Sequence, residues 1–327
     1  MNKRVIVLAG IVFSLAQHII PLTHAQEVSA PVKAKEVIGL AGVKANAKGT
    51  LKVQSGKLTF AHGKGRTDVS AVAISDIFTG ADSERAVGGP VGTMSMAAPY
   101  GGGRFLSLFR KKIDTLSIQY RDDDGSLHGV IFATPAGAAE GVKNDLVAQG
   151  ANIAAAPSPD QGAHDSSHSL RSEESVATPS GQTPAKPKTT AVQVKMIQSG
   201  DINVPAEFRI ALYENLVKQL EKNGEFQHIY RDGDSNASGA TDLVVLHSSI
   251  QGFKGGSERA RQVTTVAGAT SIKVHCQFTT ADGQTVLERD VNGKVRFFGG
   301  NLRATYDFAK KAARVADENL STAKSKN

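Results

Sequence analysis

The stretch AAAPSPDQGAHDSSHSLRSEESVATPSGQTPAKPKTT, residues Ala154–Thr190, decides how this chain is organised. Five of the chain's 11 prolines lie in it, and only Leu170 and Val176 are apolar residues larger than alanine. Such a segment buries too little apolar surface to offset the conformational entropy that is lost when it becomes ordered. We therefore predict a disordered linker over residues 153–190, spanning about 35 Å on average, that lets two folded modules move independently.

The composition on either side of this linker is that of a globular protein. A length of 327 residues allows two domains of ordinary size, and 40% of the residues are hydrophobic. The formal net charge of +7 is spread along the chain, without a dense Lys/Arg stripe that alternates with aromatic residues. This distribution disfavours nucleic-acid binding.

Residues 1–25 have the three-part pattern of a secretory signal peptide. The positive start Asn2–Arg4 precedes the apolar run Val5–Leu15, and the small residues of Thr23–Ala25 favour cleavage before Gln26. A membrane anchor is the less favoured interpretation, because polar residues interrupt an apolar stretch already shorter than about 20 residues. Since Gln26, not Cys, would follow the cleavage site, we expect a soluble, non-lipidated protein. It would be periplasmic or secreted and would keep no transmembrane segment after signal cleavage.

A loose lead-in, residues 26–46, is expected before a first module over residues 47–152. This module has short strands with alternating polar and apolar residues, followed by one helical pattern that ends near Gly150. The predicted elements are the hairpin Thr50–Val53 and Lys57–Phe60, the strand Val69–Phe78, the hairpin Asp114–Tyr120 and Leu127–Ala133, and a helix carrying Ala139, Val142, Leu146 and Val147.

The segments GTLKV, KLTF, VSAVAISDI and DTLSIQYRDDDGSLHGVIF make the first module resemble a pleckstrin-homology-like (PH-like) or GRAM-like domain. The resemblance implies a small, bent antiparallel β-barrel that a C-terminal helix closes at one end. Related domains often bind lipid headgroups or peptides, so by resemblance a basic loop would form an anion site. An ordinary solvated loop is the other interpretation of the same residues. The candidate ligand-binding residues are Arg104, Arg110, Lys111 and Lys112.

The second module is predicted over residues 191–322, with a tail at residues 323–327. A strand at Val192–Ile197 precedes a helix that begins at Pro205 and ends at Gly224. The nearly continuous apolar run Asp242–His247 favours a central strand covered on both faces. A hairpin turning at Asp282–Gly283 follows, and then a terminal helix with an apolar stripe, so we predict a mixed α+β sheet packed by two helices. The stripe consists of Leu302, Tyr306, Ala309, Ala313, Ala316 and Leu320.

Four segments of the second module are AEFRIALYENLVKQL, TDLVVLHSSIQGF, GSERARQ and SIKVHCQFTTADGQTVLERD. Together they resemble a family of bacterial envelope domains without assigned function, related in fold to LpoB and to the N-terminal domain of TolB. LpoB activates a peptidoglycan synthase. This chain departs from LpoB in lacking a lipid anchor and in carrying an extra N-terminal module, so direct synthase activation is not implied.

The folded modules lack the residue patterns of metal, cofactor or catalytic sites. His164 and His168 have metal-ligand spacing but lie in the predicted linker. The turns Asp122–Gly125 and Asp232–Asn236 begin like calcium loops, but neither has the required Gly at the sixth position or Glu at the twelfth. The single cysteine, Cys276, is expected to be a buried apolar residue and not a nucleophile.

These observations favour an exported bacterial envelope protein that is not an enzyme and uses neither a cofactor nor a metal. We expect a binding or adaptor protein that acts on an envelope protein or a cell-wall component. The alternative is a protein that binds anionic lipid headgroups or other anions through the PH-like module.

Overall fold

The computed structural model describes residues 30–85, 110–153, 189–256, 269–295 and 302–320, with the backbone alone at 81–85 and 110–112. Within these ranges the chain forms two sheets and three helices, which agrees with the predicted α+β class. The predicted linker, apart from its end residues Ile153, Thr189 and Thr190, lies outside the described residues.

The first module is a seven-stranded antiparallel sheet with the order β4-β3-β2-β1-β7-β6-β5, followed by a helix. A short 3-10 turn at Ala71–Ala73 connects β4 to β5. Its elements are β1 (Val32–Ile38), β2 (Lys48–Gln54), β3 (Lys57–His62), β4 (Gly65–Ser70), β5 (Ile74–Arg85), β6 (Arg110–Arg121), β7 (Leu127–Pro135) and α1 (Ala138–Ala148).

The predicted closure of this sheet into a barrel is wrong. Although β4 and β5 are consecutive, they form the two opposite edges of the sheet and do not pair within the described residues. On the β4 edge, Arg66 pairs with Asp68 at 2.9 Å, and such charged side chains are typical of edge strands that stay unpaired. The core is completed instead by α1, whose Ala139, Val142 and Leu146 pack among the strand residues.

A strand lies where the sequence predicted a loose lead-in. Strand β1 pairs with both β2 and β7 and joins the two halves of the sheet. Its inward positions are Ala34, Glu36 and Ile38, all of them buried. The carboxylate at the middle inward position interrupts the apolar alternation that normally identifies a strand.

The second module is a mixed sheet packed by two helices, as its sequence predicted. The sheet has five strands in the order β12-β11-β10-β8-β9. Both helices pack on one face of the sheet and share one core with it. Pro205 lies at the N-terminal boundary of α2, and Gly224 ends the helix with a left-handed backbone. The elements are β8 (Ala191–Val194), α2 (Ala206–Asn223), β9 (His228–Tyr230), β10 (Leu243–Lys254), β11 (Thr270–Thr280), β12 (Thr285–Val295) and α3 (Arg303–Leu320).

Strand β10 is central, as expected, but it is covered on both faces only at its start. There Leu243 and Val245 pack in a small cluster with Ala191, Ala237 and Tyr230. Further along, Leu246 and Ile250 are buried under the helices, whereas His247 on the opposite side is exposed. This later part of the second face is a polar surface.

The two modules, predicted to be independent, are in direct contact with each other. One face of α2 packs on the first module, where Ile210 and Ala211 join Ile38 and Ile131 in an apolar cluster. Gly129 permits this close approach, because a Cβ atom at that position would come within 2.6 Å of Ile210 Cγ2.

A buried ion pair of the second module lies at the same contact, which we call the seam. Arg231 Nη1 lies 2.7 Å from Glu214 Oε1, and Arg231 Nη2 lies 3.0 Å from Glu214 Oε2. The same Glu214 Oε1 accepts a hydrogen bond from Gly129 N at 2.8 Å, and Arg231 donates to Leu127 O at 3.2 Å. Burial alone would lower the pKa of Arg231, but the adjacent Glu214 carboxylate raises it overall. Both charged groups are thus satisfied by the partner module's backbone as well as by each other.

The two turns that begin like calcium loops meet at the seam. Ser235 N donates to Asp124 O at 3.0 Å, and Leu127 N donates to Asp232 O at 2.8 Å. Tyr213 Oη accepts from Asp232 N at 2.9 Å and donates to Leu127 O at 3.3 Å. These acidic turns therefore contribute backbone contacts between the modules.

Candidate functional site

The polar face of the second sheet carries a groove of about 420 Å³. It lies across β8, β10 and β11, on the side opposite the two helices. Its lining is formed by Lys195, Met196, Gln198, His247, Ser248, Ser249, His275, Gln277, Thr279 and Gly283.

Strand pairing brings the groove residues together in rows. The antiparallel register places His247 opposite Gln277, and Ser249 opposite His275. On the other side of β10, Lys195 N donates to Leu246 O at 3.0 Å, so Lys195 lies beside His247. The groove thus collects residues that are far apart in the sequence, from Lys195 to Gly283.

Carboxylates on β12 hold the outer side of the groove. Asp290 lies 2.7 Å from Lys273 Nζ and 2.9 Å from His275 Nδ1. The hydrogen bonds from Lys273 and then His275 lower the pKa of Asp290, so it is a carboxylate at neutral pH. With Nδ1 engaged, the second ring nitrogen of His275 remains for a ligand. Gln277 Nε2 donates to Glu288 Oε1 at 2.8 Å, which fixes a second side chain of the groove.

Asp232 holds the inner side of the groove and connects it to the seam. Its Oδ1 lies 3.2 Å from Lys195 Nζ, and its Oδ2 accepts from Met196 N at 3.1 Å. The same residue uses its backbone N–H and C=O to bond Tyr213 and Leu127. The position of Lys195 in the groove therefore depends on the docking of the two modules.

Asp290, His275 and Ser249 occupy neighbouring positions on three adjacent strands, in the order of a hydrolytic triad. The surroundings differ from those of a working triad. Asp290 is 45% exposed and shared with Lys273, and Ser249 Oγ accepts a hydrogen bond from Gln251 at 3.1 Å. The backbone N–H groups around Ser249 belong to continuous strand pairing, whereas an oxyanion hole needs donors aimed at the reacting group. The arrangement is suited to hydrogen bonding of a ligand.

The predicted basic site of the first module remains a prediction. Arg104 lies outside the described residues, and Arg110, Lys111 and Lys112 are described by their backbone, at the start of β6. In the described ranges, no group of three or more His, Cys, Asp or Glu residues is arranged to hold a metal ion. None of the three described helices has the length and apolar character needed to cross a membrane.

Cys276 lies on the face of β11 opposite the groove and is fully buried. Burial raises the pKa of its thiol to about 12, so the thiol is protonated at neutral pH. The expectation of a buried Cys276 is confirmed.

Sequence reasoning missed the groove. Lys273, His275 and Gln277 alternate with apolar residues, but this pattern indicates a solvent-facing side equally well. A usable signal was present in β10, where His247 and Ser249 continue the same polar face after an apolar run.

No protein-family model and no curated protein matches the chain. Among solved structures, the PelC dodecamer from Paraburkholderia phytofirmans has 13% identity and a TM-score of 0.32. The match covers 42% of this chain and 92% of the PelC chain. A neuraminyllactose-binding hemagglutinin homologue from Helicobacter pylori has 10% identity and a TM-score of 0.25. That match covers 45% of this chain and 90% of the homologue. Similarities at this level carry no functional argument.

Proposed function

We propose that this chain is a non-enzymatic binding protein and that the groove on the polar sheet face is its ligand site. The observation that carries this proposal is the open row of polar side chains on β10 and β11, on the face away from the helices. A concave site with a few positioned polar groups is the usual form of a ligand site.

The fixed geometry of the groove supports binding. Asp290 holds His275, Glu288 holds Gln277 and Asp232 holds Lys195. Side chains that neighbouring groups already position lose little conformational freedom when a ligand arrives, which improves affinity.

An exported adaptor role is the finer part of the proposal. The signal-peptide pattern of residues 1–25 supports export, and a protein or cell-wall component of the envelope would then be the partner. Since the seam joins the modules, a partner bound at the groove would also be held close to the first module.

A photo-crosslinking experiment tests the site. A photoreactive residue replaces Gln277 in the groove or, as the matched control, Lys64 in the exposed turn between β3 and β4. Each protein is irradiated in a bacterial envelope extract, and the adduct masses are compared. We expect a discrete adduct from position 277 but not from position 64, and we expect Ser249→Arg to abolish it by filling the groove. Equal labelling from both positions, or an adduct that persists in Ser249→Arg, would contradict the proposal.

A further inference from the structure

We infer that the groove binds a small ligand through an oxyanion, a carboxylate or a phosphate group, at the centre formed by Lys195, His247 and His275. This inference rests on the proposed function and specifies the ligand class. It follows from which charged groups line the groove and which are placed outside it.

The lining contains basic side chains but no carboxylate. Lys195, His247 and His275 are among its residues, while Asp232, Glu288 and Asp290 are not. Each of these three acids is already bonded to the protein: Asp232 to Lys195 and Met196, Glu288 to Gln277, and Asp290 to Lys273 and His275. Asp232 and Asp290 position basic groups from behind, and the residues that line the groove include no carboxylate.

The donors in the middle are available to a ligand. The His247 side chain is exposed and forms no hydrogen bond or ion pair within the part of the chain that the structure describes. Lys195 bonds Asp232 with one of its three ammonium hydrogens and has two others. Charge-assisted hydrogen bonds from such groups to an oxyanion are about twice as strong as neutral ones.

The charged groups that face the two imidazoles are Lys195 and Asp232 from the β8 side, and Lys273, Glu288 and Asp290 from the β11 and β12 side. All of these side chains already have partners within the protein in the absence of ligand.

The groove favours a small ligand over a membrane surface. The large apolar residues that are exposed within the described ranges are Val72, Val147, Ile153 and Tyr306, and none of them lines the groove. A surface that inserts into lipid needs apolar side chains next to its basic groups. The groove instead surrounds its cations with the hydroxyl and amide groups of Ser249, Gln277 and Thr279.

Histidine NMR signals of the full chain test the inference. The chain is titrated with inorganic phosphate and, separately, with citrate, while sodium chloride keeps the ionic strength constant. His247→Asn and His275→Asn assign the two imidazole signals, and His62 in the first module is the internal control. We expect saturable shifts at His247 and His275 but not at His62.

Variants of one lysine give the quantitative result. Lys195→Gln should weaken binding at least about tenfold, as expected for losing a hydrogen bond from a charged group. Lys195→Arg, which keeps the charge, should retain most of the affinity, and the exposed control Lys64→Gln should not change it. Saturation by phosphate alone or by citrate alone would identify the source of the oxyanion.

Shifts that stay linear over the whole titration, or an equal loss in Lys64→Gln, would overturn the inference. So would sedimentation with phosphatidylglycerol vesicles in the absence of binding to either free anion. If the anions fail but the crosslink from position 277 remains, the oxyanion is wrong and the proposed function stands. If both fail, the groove is not the ligand site.

Discussion

Glu36 is the residue whose environment departs most from what its chemistry prefers. Its side chain is fully buried on β1, where Oε1 accepts a hydrogen bond from Leu40 N at 3.3 Å and Oε2 has no partner among the described atoms. Burial raises its pKa from 4.5 to about 7, against the attraction of Lys218 on α2 and with added repulsion from Glu214. The folded chain therefore binds a proton at Glu36 that the unfolded chain releases at lower pH.

The sign of the resulting pH dependence follows from this difference. A carboxyl group whose pKa is raised on folding stabilises the fold fully below about pH 4.5, and this contribution is lost as the pH rises through about 7. Glu36→Gln removes the titration. We expect it to reduce the loss of unfolding free energy between pH 5 and pH 8 by about 2 kcal/mol, measured by urea denaturation at both values.

Asp201→Asn is the matched control for this measurement, because Asp201 is exposed in the turn before α2. It should leave the difference between the two pH values unchanged. A similar pH dependence in the wild type and in Glu36→Gln would mean that Glu36 does not retain its proton in the folded chain.

Hydrophobic periodicity was sufficient to predict a strand or helix wherever one face of that element is uniformly apolar. Ile272, Val274, Cys276 and Phe278 alternate along β11 and are all buried. Strand β1 was missed because Glu36 occupies an inward position. The residue pattern of a single strand does not reveal that a charged side chain is buried, because burial depends on which other elements pack on that strand.

The groove is a second case in which local pattern was insufficient. Ser249 and His275 belong to different strands, and their proximity is set by the register of β10 against β11. Register depends on non-local pairing, so a list of polar residues on each strand does not determine which of them meet. The first sheet was predicted to close into a barrel for the same reason. The order of strands along the chain does not determine whether the two edge strands, here β4 and β5, pair with each other.

Helix α3 differs in detail from its predicted apolar stripe. Ala309, Ala313, Ala316 and Leu320 are buried as expected, but Tyr306 is 42% exposed. Phe308 and Ala304 take its place against the sheet, close to Gly293 on β12, where a Cβ atom would come within 2.2 Å of Ala304 O. The small residues thus permit a close approach between helix and sheet.

A charge on the buried side of α3 should be strongly destabilising. Ala313 is fully buried, so Ala313→Asp places a carboxylate there without a partner, at a cost of about 3–5 kcal/mol. Lys310→Asp on the exposed side should change the unfolding free energy by less than about 0.5 kcal/mol. Lys310 is the better control than Lys311, whose Nζ bonds Asn292 O and Asp307. Equal urea midpoints for the two variants would contradict the placement of α3.

At the scale of the whole molecule, the seam makes two sequence-separated modules into one unit. The polar part of the seam is largely inaccessible to water, since Tyr213 is 1% exposed and Glu214 is 3% exposed. Separating the modules would expose the apolar cluster of Ile38, Ile131 and Ile210 to water and would break the hydrogen bonds of Glu214 and Arg231 to the first module, so separation is costly. The linker therefore connects modules that are already held together by direct contact.

Cleavage of the linker tests this docking. We expect a protease that cuts within residues 154–188 to leave two fragments that elute together in size-exclusion chromatography. Gly129→Val should separate them, because the new side chain would overlap Ile210 on α2. Gly141→Val on α1 is the control, since no atom lies within 4 Å of a Cβ there. Separate elution of the wild-type fragments would mean that the seam does not hold the modules.

Most of the polar bonds across the seam reach the backbone of the first module, at Leu127 O, Leu127 N and Gly129 N. Substituting the exposed side chains of Asp123 and Asp124 leaves these groups in place, whereas Asp122 accepts from Asp124 N and Ser126 N and helps to hold the turn. Inserting one residue there would instead displace the following strand by about 3.4 Å and move all three groups away from α2 together. Homologous proteins that keep this architecture should accordingly vary the composition of this turn while conserving its length.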